Sequence, residues 1–180
     1  ITWLRGADTG RRILVSIVFI VNLLFIISVW WTGVGNISST GSLFVALSHL
    51  LALVGTYLIL IQLLLLARID ILERAFGKDG LTRIHRLNGY VAFWAIVGHV
   101  FFLSLGYSLV YNTSYVSQFI DFILNFEDVW KALIAYLLLF LVVGLSIAIA
   151  RKRFKYELWF MVHLTAYLMV LLAFGHQIKV

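Results

Sequence analysis

Residues 82–100 read TRIHRLNGYVAFWAIVGHV, an apolar run with a histidine near each end, His85 and His99. About 20 predominantly apolar residues are needed for a helix to cross roughly 30 Å of hydrocarbon. A titratable side chain inside such a run is costly and usually functional. The two imidazoles lie 14 residues apart, or about 21 Å along a helix axis.

The rest of the 180-residue chain has the same character. It is 63% hydrophobic and only 12% charged, with a mean hydropathy of +1.03, whereas soluble domains carry about 25% charged residues. A soluble body of this composition would leave large apolar patches in water. The fold class is therefore all-α, a polytopic transmembrane helical bundle. The absence of cysteine removes disulfides, thiolate zinc sites, iron–sulfur clusters and covalent CxxCH haem attachment. Proline is absent too. The net charge of +6 sets topology rather than nucleic-acid affinity. The opening residues ITWLRGADTG show no signal-peptide pattern, and no internal repeat or low-complexity tract is evident.

Five spans are expected near 12–31, 44–67, 85–108, 130–150 and 156–176. The N-terminal segment carries Arg5, Arg11 and Arg12 against Asp8, and the loop after span 1 has no charge. Arg68, Arg74, Lys78, Arg83 and Arg86 face Asp70, Glu73 and Asp79 around the connection to span 3. The next loop holds Asp121, Glu127 and Asp128 against Lys131, and RKRFK follows at 151–155. Basic connections alternate with neutral or acidic ones, which places the N-terminus in the cytoplasm and the end of span 5 outside. The RKRFK cluster is a topology anchor with a bias to anionic lipid. Residues 111–130 are expected to form an outer loop with a short interfacial helix at 116–126, the lesser alternative being a re-entrant sixth span. NIS at 36–38 and NTS at 112–114 match the weak glycosylation pattern.

All five histidines, His49, His85, His99, His163 and His176, fall in or at the ends of spans. His163 and His176 in span 5 are 13 apart, or about 19.5 Å. Spans 3 and 5 run the same way, so His85 shares a depth with His163 on the inner side, and His99 with His176 on the outer side. Two imidazole pairs, one per leaflet, are the arrangement that holds two b-type haems. Rotation supports span 3, where His99 lies about 40° off the line of His85, but leaves His176 about 140° off His163. Unwinding near Gly175 or a π-bulge would relieve that mismatch. Gly89 and Gly98 are expected to let a flat ring approach span 3. Arg68, Arg83 and Arg86 are candidate partners for haem propionates, and Phe93, Trp94, Phe101, Phe102, Tyr167 and Phe174 for ring faces. His49 has no partner at matching spacing and reads as a hydrogen-bonding group satisfied by Ser48, Thr56 or a neighbouring helix.

The segments LTRIHRLNGYVAFWAIVGHVFF and WFMVHLTAYLMVLLAFGH resemble the ferric-reductase-type transmembrane domain shared by NADPH oxidases and ferric-chelate reductases. The resemblance covers nearly all of the chain. It implies two haem b groups, the inner held by His85 and His163 and the outer by His99 and His176. Arg68 resembles the family's basic residue near the inner haem. The resemblance further implies electrons drawn from NADPH through FAD in a cytoplasmic dehydrogenase domain and delivered to dioxygen or ferric iron outside the plasma membrane.

The family domain has six spans followed by that flavin domain. Here a single domain, 1–180, carries five, with neither a sixth span nor a GxGxxG nucleotide motif. The chain thus reads as a fragment or the ordered part of a longer oxidoreductase, able to relay electrons but not to oxidise NADPH by itself. The acceptor stays open between dioxygen and ferric iron. The neutral to acidic outer loops argue mildly against a steered anionic substrate. Two alternatives remain beside this reading. One is a haem-bearing anchor subunit of a separate reductase. The other is a histidine-lined proton or ion channel, which would favour mid-membrane Asp or Glu that these spans lack.

Overall fold

The computed structural model describes residues 2–150 and 155–177, and the side chains within 9–147 and 155–175. Most of the RKRFK cluster and the side chain of His176 lie outside these described residues. Six α-helices follow one another: α1 (Thr2–Gly33), α2 (Thr40–Leu66), α3 (Asp70–Val110), α4 (Tyr115–Asn125), α5 (Val129–Ala150) and α6 (Tyr156–Gln177). Among the described residues, five of these are long and apolar enough to cross a membrane, with α4 the exception. The chain divides into two compact units, 1–111 and 112–180.

In the first unit, α2 begins four residues earlier than its apolar run suggests. Ser39 caps it: its hydroxyl accepts from the Ser42 amide at 3.1 Å, and the Ser42 hydroxyl accepts from the Ser39 amide at 2.9 Å. Serine therefore takes the place Glu or Gln usually fills in a capping box.

The larger difference is in α3. The sequence suggests a charged loop up to residue 84, whereas helix begins at Asp70 and is broken only at Gly77, with φ 68° and ψ 161°. The charges face outward while Leu72, Ala75 and Leu81 bury against Val15 of α1 and Ile61 and Leu65 of α2. Their helical spacing sets the structure, and charge counting alone misses it. Asp70 and Glu73 in the first turn also favour the N-terminus through the helix dipole.

Gly77 occupies backbone space that is essentially glycine-only, although nothing crowds a Cβ there. Gly77→Ala is expected to cost about 1–3 kcal/mol through the backbone alone, read as a lowered midpoint of unfolding in micelles with span packing intact.

In the second unit, α4 forms where an interfacial helix is expected, within a residue at each end. Its acid is satisfied locally: Asp121 accepts from the Asn125 amide at 2.6 Å and the Gln118 amide at 3.4 Å. Helices α5 and α6 then pack on each other, with Ala135, Leu139, Val142 and Met169 buried.

Candidate functional site

The α2–α3 pair is antiparallel and close. A Cβ on Gly41 would stand 2.9 Å from the Gly106 carbonyl oxygen, and one on Gly106 would stand 2.8 Å from the Val45 amide nitrogen. Further along, Gly55 faces Ile96, Gly98 faces Leu51, and Gly89 faces the Gln62 amide. The Asn88 side chain donates to the Leu58 carbonyl at 2.8 Å.

Gly41, Ser48, Gly55 and Gln62 recur every seven residues on α2, as do His85, Ala92, His99 and Gly106 on α3. Seven-residue recurrence keeps two helices in register along one seam. Small residues let the backbones meet where lipid supplies no hydrophobic drive. The expectation that Gly89 and Gly98 clear room for a flat ring is thus corrected. Both turn toward α2, and their missing Cβ atoms admit Gln62 and Leu51.

This seam fixes His99. Its Nδ1 lies 3.0 Å from the backbone carbonyl oxygen of Ser48. A carbonyl oxygen only accepts, so Nδ1 carries a proton, and in the neutral imidazole Nε2 then holds the lone pair. Metal-bound histidines commonly hold their tautomer by the same contact. Ser48 is fully buried, and its hydroxyl donates to the Val45 carbonyl at 2.9 Å. That hydroxyl is engaged by its own helix rather than by His49, which is exposed and off the seam.

His85 is half-buried on the same side of α3, with its Nδ1 shut off from solvent. Arg68, Arg83 and Arg86 are all exposed. Arg68 sits in the α2–α3 turn with φ 50°. Arg83 leaves α3 about 160° round from His85, and Arg86 about 100°.

Of the candidate ring-facing aromatics, Phe93 is buried and Phe102 stacks on Phe44 of α2 at 5.5 Å. Trp94, Phe101 and Tyr167 are exposed, and Phe174 is half-buried.

In the second unit, His163 is half-buried on α6 with its Nδ1 also shut off from solvent. Its ring lies 4.9 Å from that of Trp159, tilted by 33°. The Trp159 indole N–H donates to the Ser146 hydroxyl of α5 at 3.1 Å, and that hydroxyl donates to the Val142 carbonyl at 2.7 Å. An indole pinned at its nitrogen restricts the imidazole beside it. The backbone of α6 stays helical through His176 to Gln177. The suggested unwinding near Gly175 or π-bulge is therefore absent, and the rotation of about 140° between His163 and His176 stands.

Reading the sequence missed Ser48 as the partner of His99 and missed Gln62, Ser146 and Trp159. The sevenfold recurrence on α2 is the one signal that points to the first two. Among the described residues no three His, Cys, Asp or Glu side chains converge as a metal cluster. The arrangement instead offers single imidazoles, at least one with a defined tautomer, on helices long enough to separate them by about 20 Å.

Curated proteins and solved structures give no match to the chain. A family model described as "Ferric reductase like transmembrane component" matches residues 51–174. That range takes in most of α2, all of α3 to α5, and α6 as far as Phe174. It covers more than half of the chain and agrees with the five apolar helices, so the chain belongs to the ferric-reductase-like transmembrane family.

Proposed function

We propose that this protein carries electrons across a membrane through two b-type haems, His85 with His163 serving the inner one and His99 with His176 the outer. The His99–Ser48 contact carries this reading: it leaves Nε2 with the lone pair an axial ligand needs. Family membership supports an electron-transfer role of the reductase type. The pairing across α3 and α6 rests on the spacings of 14 and 13 residues. When bound, a bis-histidine haem supplies one-electron cycling between ferric and ferrous iron.

The work of the chain itself is to hold and orient. Ser48 fixes the tautomer of His99, and Trp159, pinned by Ser146, restrains the ring of His163. Arg68, Arg83 and Arg86 are the candidate partners for propionates at the inner level. The donor in this proposal is FAD in a cytoplasmic NADPH-oxidising domain, and the acceptor is dioxygen or ferric iron outside. With the N-terminus cytoplasmic in a plasma membrane, outward electron flow gains about 2.3 kcal/mol per 100 mV for a full crossing.

The test is an absorption spectrum of the purified chain, oxidised and then dithionite-reduced, with haem added back and counted. Two haems per chain with a bis-histidine signature supports the reading. Failure to bind added haem overturns it and favours proton or ion movement past the histidines. His49→Ala is expected to keep both haems by pyridine haemochrome, since His49 lies off the seam. Loss of one equivalent there would make it a ligand.

A further inference from the structure

The α2–α3 seam has four levels, and three are accounted for. Gly41 meets Gly106, Ser48 meets His99, and Gly55 lies opposite the Ala92–Ile96 turn. The fourth α2 position is Gln62, and the fourth α3 position is His85. Gln62 follows Ser48 by 14 residues and His85 precedes His99 by 14. Because the helices are antiparallel, both steps cover the same length along the seam, two sevenfold repeats.

A close contact fixes the Gln62 side chain. Its Nε2 lies 2.7 Å from where a Cβ on Gly89 would stand. The amide thus rests on the α3 backbone, one helical turn from His85 on nearly the same face. Its other end is unsatisfied: Gln62 Oε1 is buried and accepts no hydrogen bond. A buried amide oxygen without a donor is uncommon and calls for an explanation.

We infer that Gln62 is the positioning residue of the inner haem ligand, its Oε1 accepting the Nδ1–H of His85 when Nε2 binds iron. Like the Ser48 carbonyl at the outer level, it would fix the Nδ1–H tautomer and direct the Nε2 lone pair away from α2. The inference rests on His85 being a haem ligand. The two levels differ in kind. The outer acceptor is backbone, which substitution cannot remove, whereas the inner one is a side chain and therefore adjustable. An acceptor on Nδ1–H raises the basicity of the imidazole and favours ferric over ferrous iron. Helix α2 would thus hold one ligand by its backbone and tune the other through a single side chain. Gly89 is part of the device, because any Cβ there would displace the amide.

The experiment uses the whole chain loaded with haem, and compares Gln62→Leu, Gln62→Glu and Gly89→Ala. Potentiometric titration followed optically resolves the two haems, and low-temperature EPR reads the ligand geometry of each. Gln62→Leu should shift the inner ferric-to-ferrous equilibrium about tenfold toward ferrous, or about 59 mV upward for one electron. Gln62→Glu should shift it the other way, Gly89→Ala should follow Gln62→Leu, and the outer haem should stay unmoved. Variants of altered packing alone would not give opposite signs for leucine and glutamate.

Two haems bound with the inner potential and EPR signal unchanged in both Gln62 variants would overturn the inference and leave the haem reading standing. If the wild-type chain takes up no haem, the haem reading fails, and with it the role given to Gln62. Nitrogen-15 histidine spectra of the haem-loaded chain in its diamagnetic ferrous state add an independent arm. A shifted Nδ1–H resonance of His85 in Gln62→Leu supports the contact, and identical spectra in both chains overturn it.

Discussion

Under the proposed two-haem arrangement, His99→Ala is expected to remove one haem and leave the other. The change deletes a single imidazole from the end of α3 nearer Gly106 and leaves His85 at the opposite level. The α2–α3 seam should survive it, because the closest approaches are made by Gly41, Gly55, Gly89 and Gly106. The Ser48 carbonyl that received the Nδ1 proton also belongs to a helical backbone, so its loss of a second donor is mild. Haem per chain by pyridine haemochrome should fall from two to one, with the remaining spectrum still bis-histidine. His85→Ala should give the mirror result, removing the haem of the other potential. Unchanged haem in purified His99→Ala would sink the ligand assignment. Loss of both would show that the two sites fold as one.

Gly106→Leu should cost about 3 kcal/mol, the upper end for overpacking. A Cβ at this position meets the Val45 side chain, the Val45 amide and the Gly41 carbonyl, all within 2.9 Å. Two of the three are backbone and cannot rotate away, so the helices must separate. Separation pulls the Ser48 carbonyl from His99, seven residues away on the same seam. The expected result is a lower midpoint of unfolding in micelles together with weakened retention of the outer haem. Gly144→Leu on α5 is the control: nothing lies within 4 Å of a Cβ there, and its effect should stay within about 0.5 kcal/mol. Equal losses in the two variants would mean that the seam is not the cause.

The five spans and α4 were legible because length and apolarity decide a membrane helix, and the chain has few charges to obscure them. The start of α3 was not. Leu72, Ala75 and Leu81 are outnumbered by charges between 68 and 86, and their burial depends on Val15 and Ile61 in other helices. The histidine spacings were visible because imidazoles are rare in apolar runs. What orients those imidazoles was hidden for two reasons. Every residue has a carbonyl, so nothing marks that of Ser48. The Trp159–Ser146 contact joins two helices whose facing sides no single-helix period reveals. The glycines of α3 were seen, but which neighbour they admit depends on the position of α2.

Helix α1 meets the rest of its unit in another way. Among its described side chains only Val15 is buried. Side chain-to-backbone hydrogen bonds hold it at three heights: Arg12 to the Ala75 carbonyl, Tyr57 to the Phe19 carbonyl at 2.7 Å, and Trp30 to the Ala46 carbonyl at 2.9 Å. Lipid is as apolar as the flank of such a helix, so burial gives it little reason to dock. During biogenesis α1 can therefore enter the bilayer as an independent insertion event and be fastened afterwards at these three points. Each fastening ends on a main-chain oxygen, which survives replacement of the residue that bears it. Over evolutionary drift the lipid-facing flank of α1 is free to change, whereas these three attachments depend on the donors Arg12, Tyr57 and Trp30.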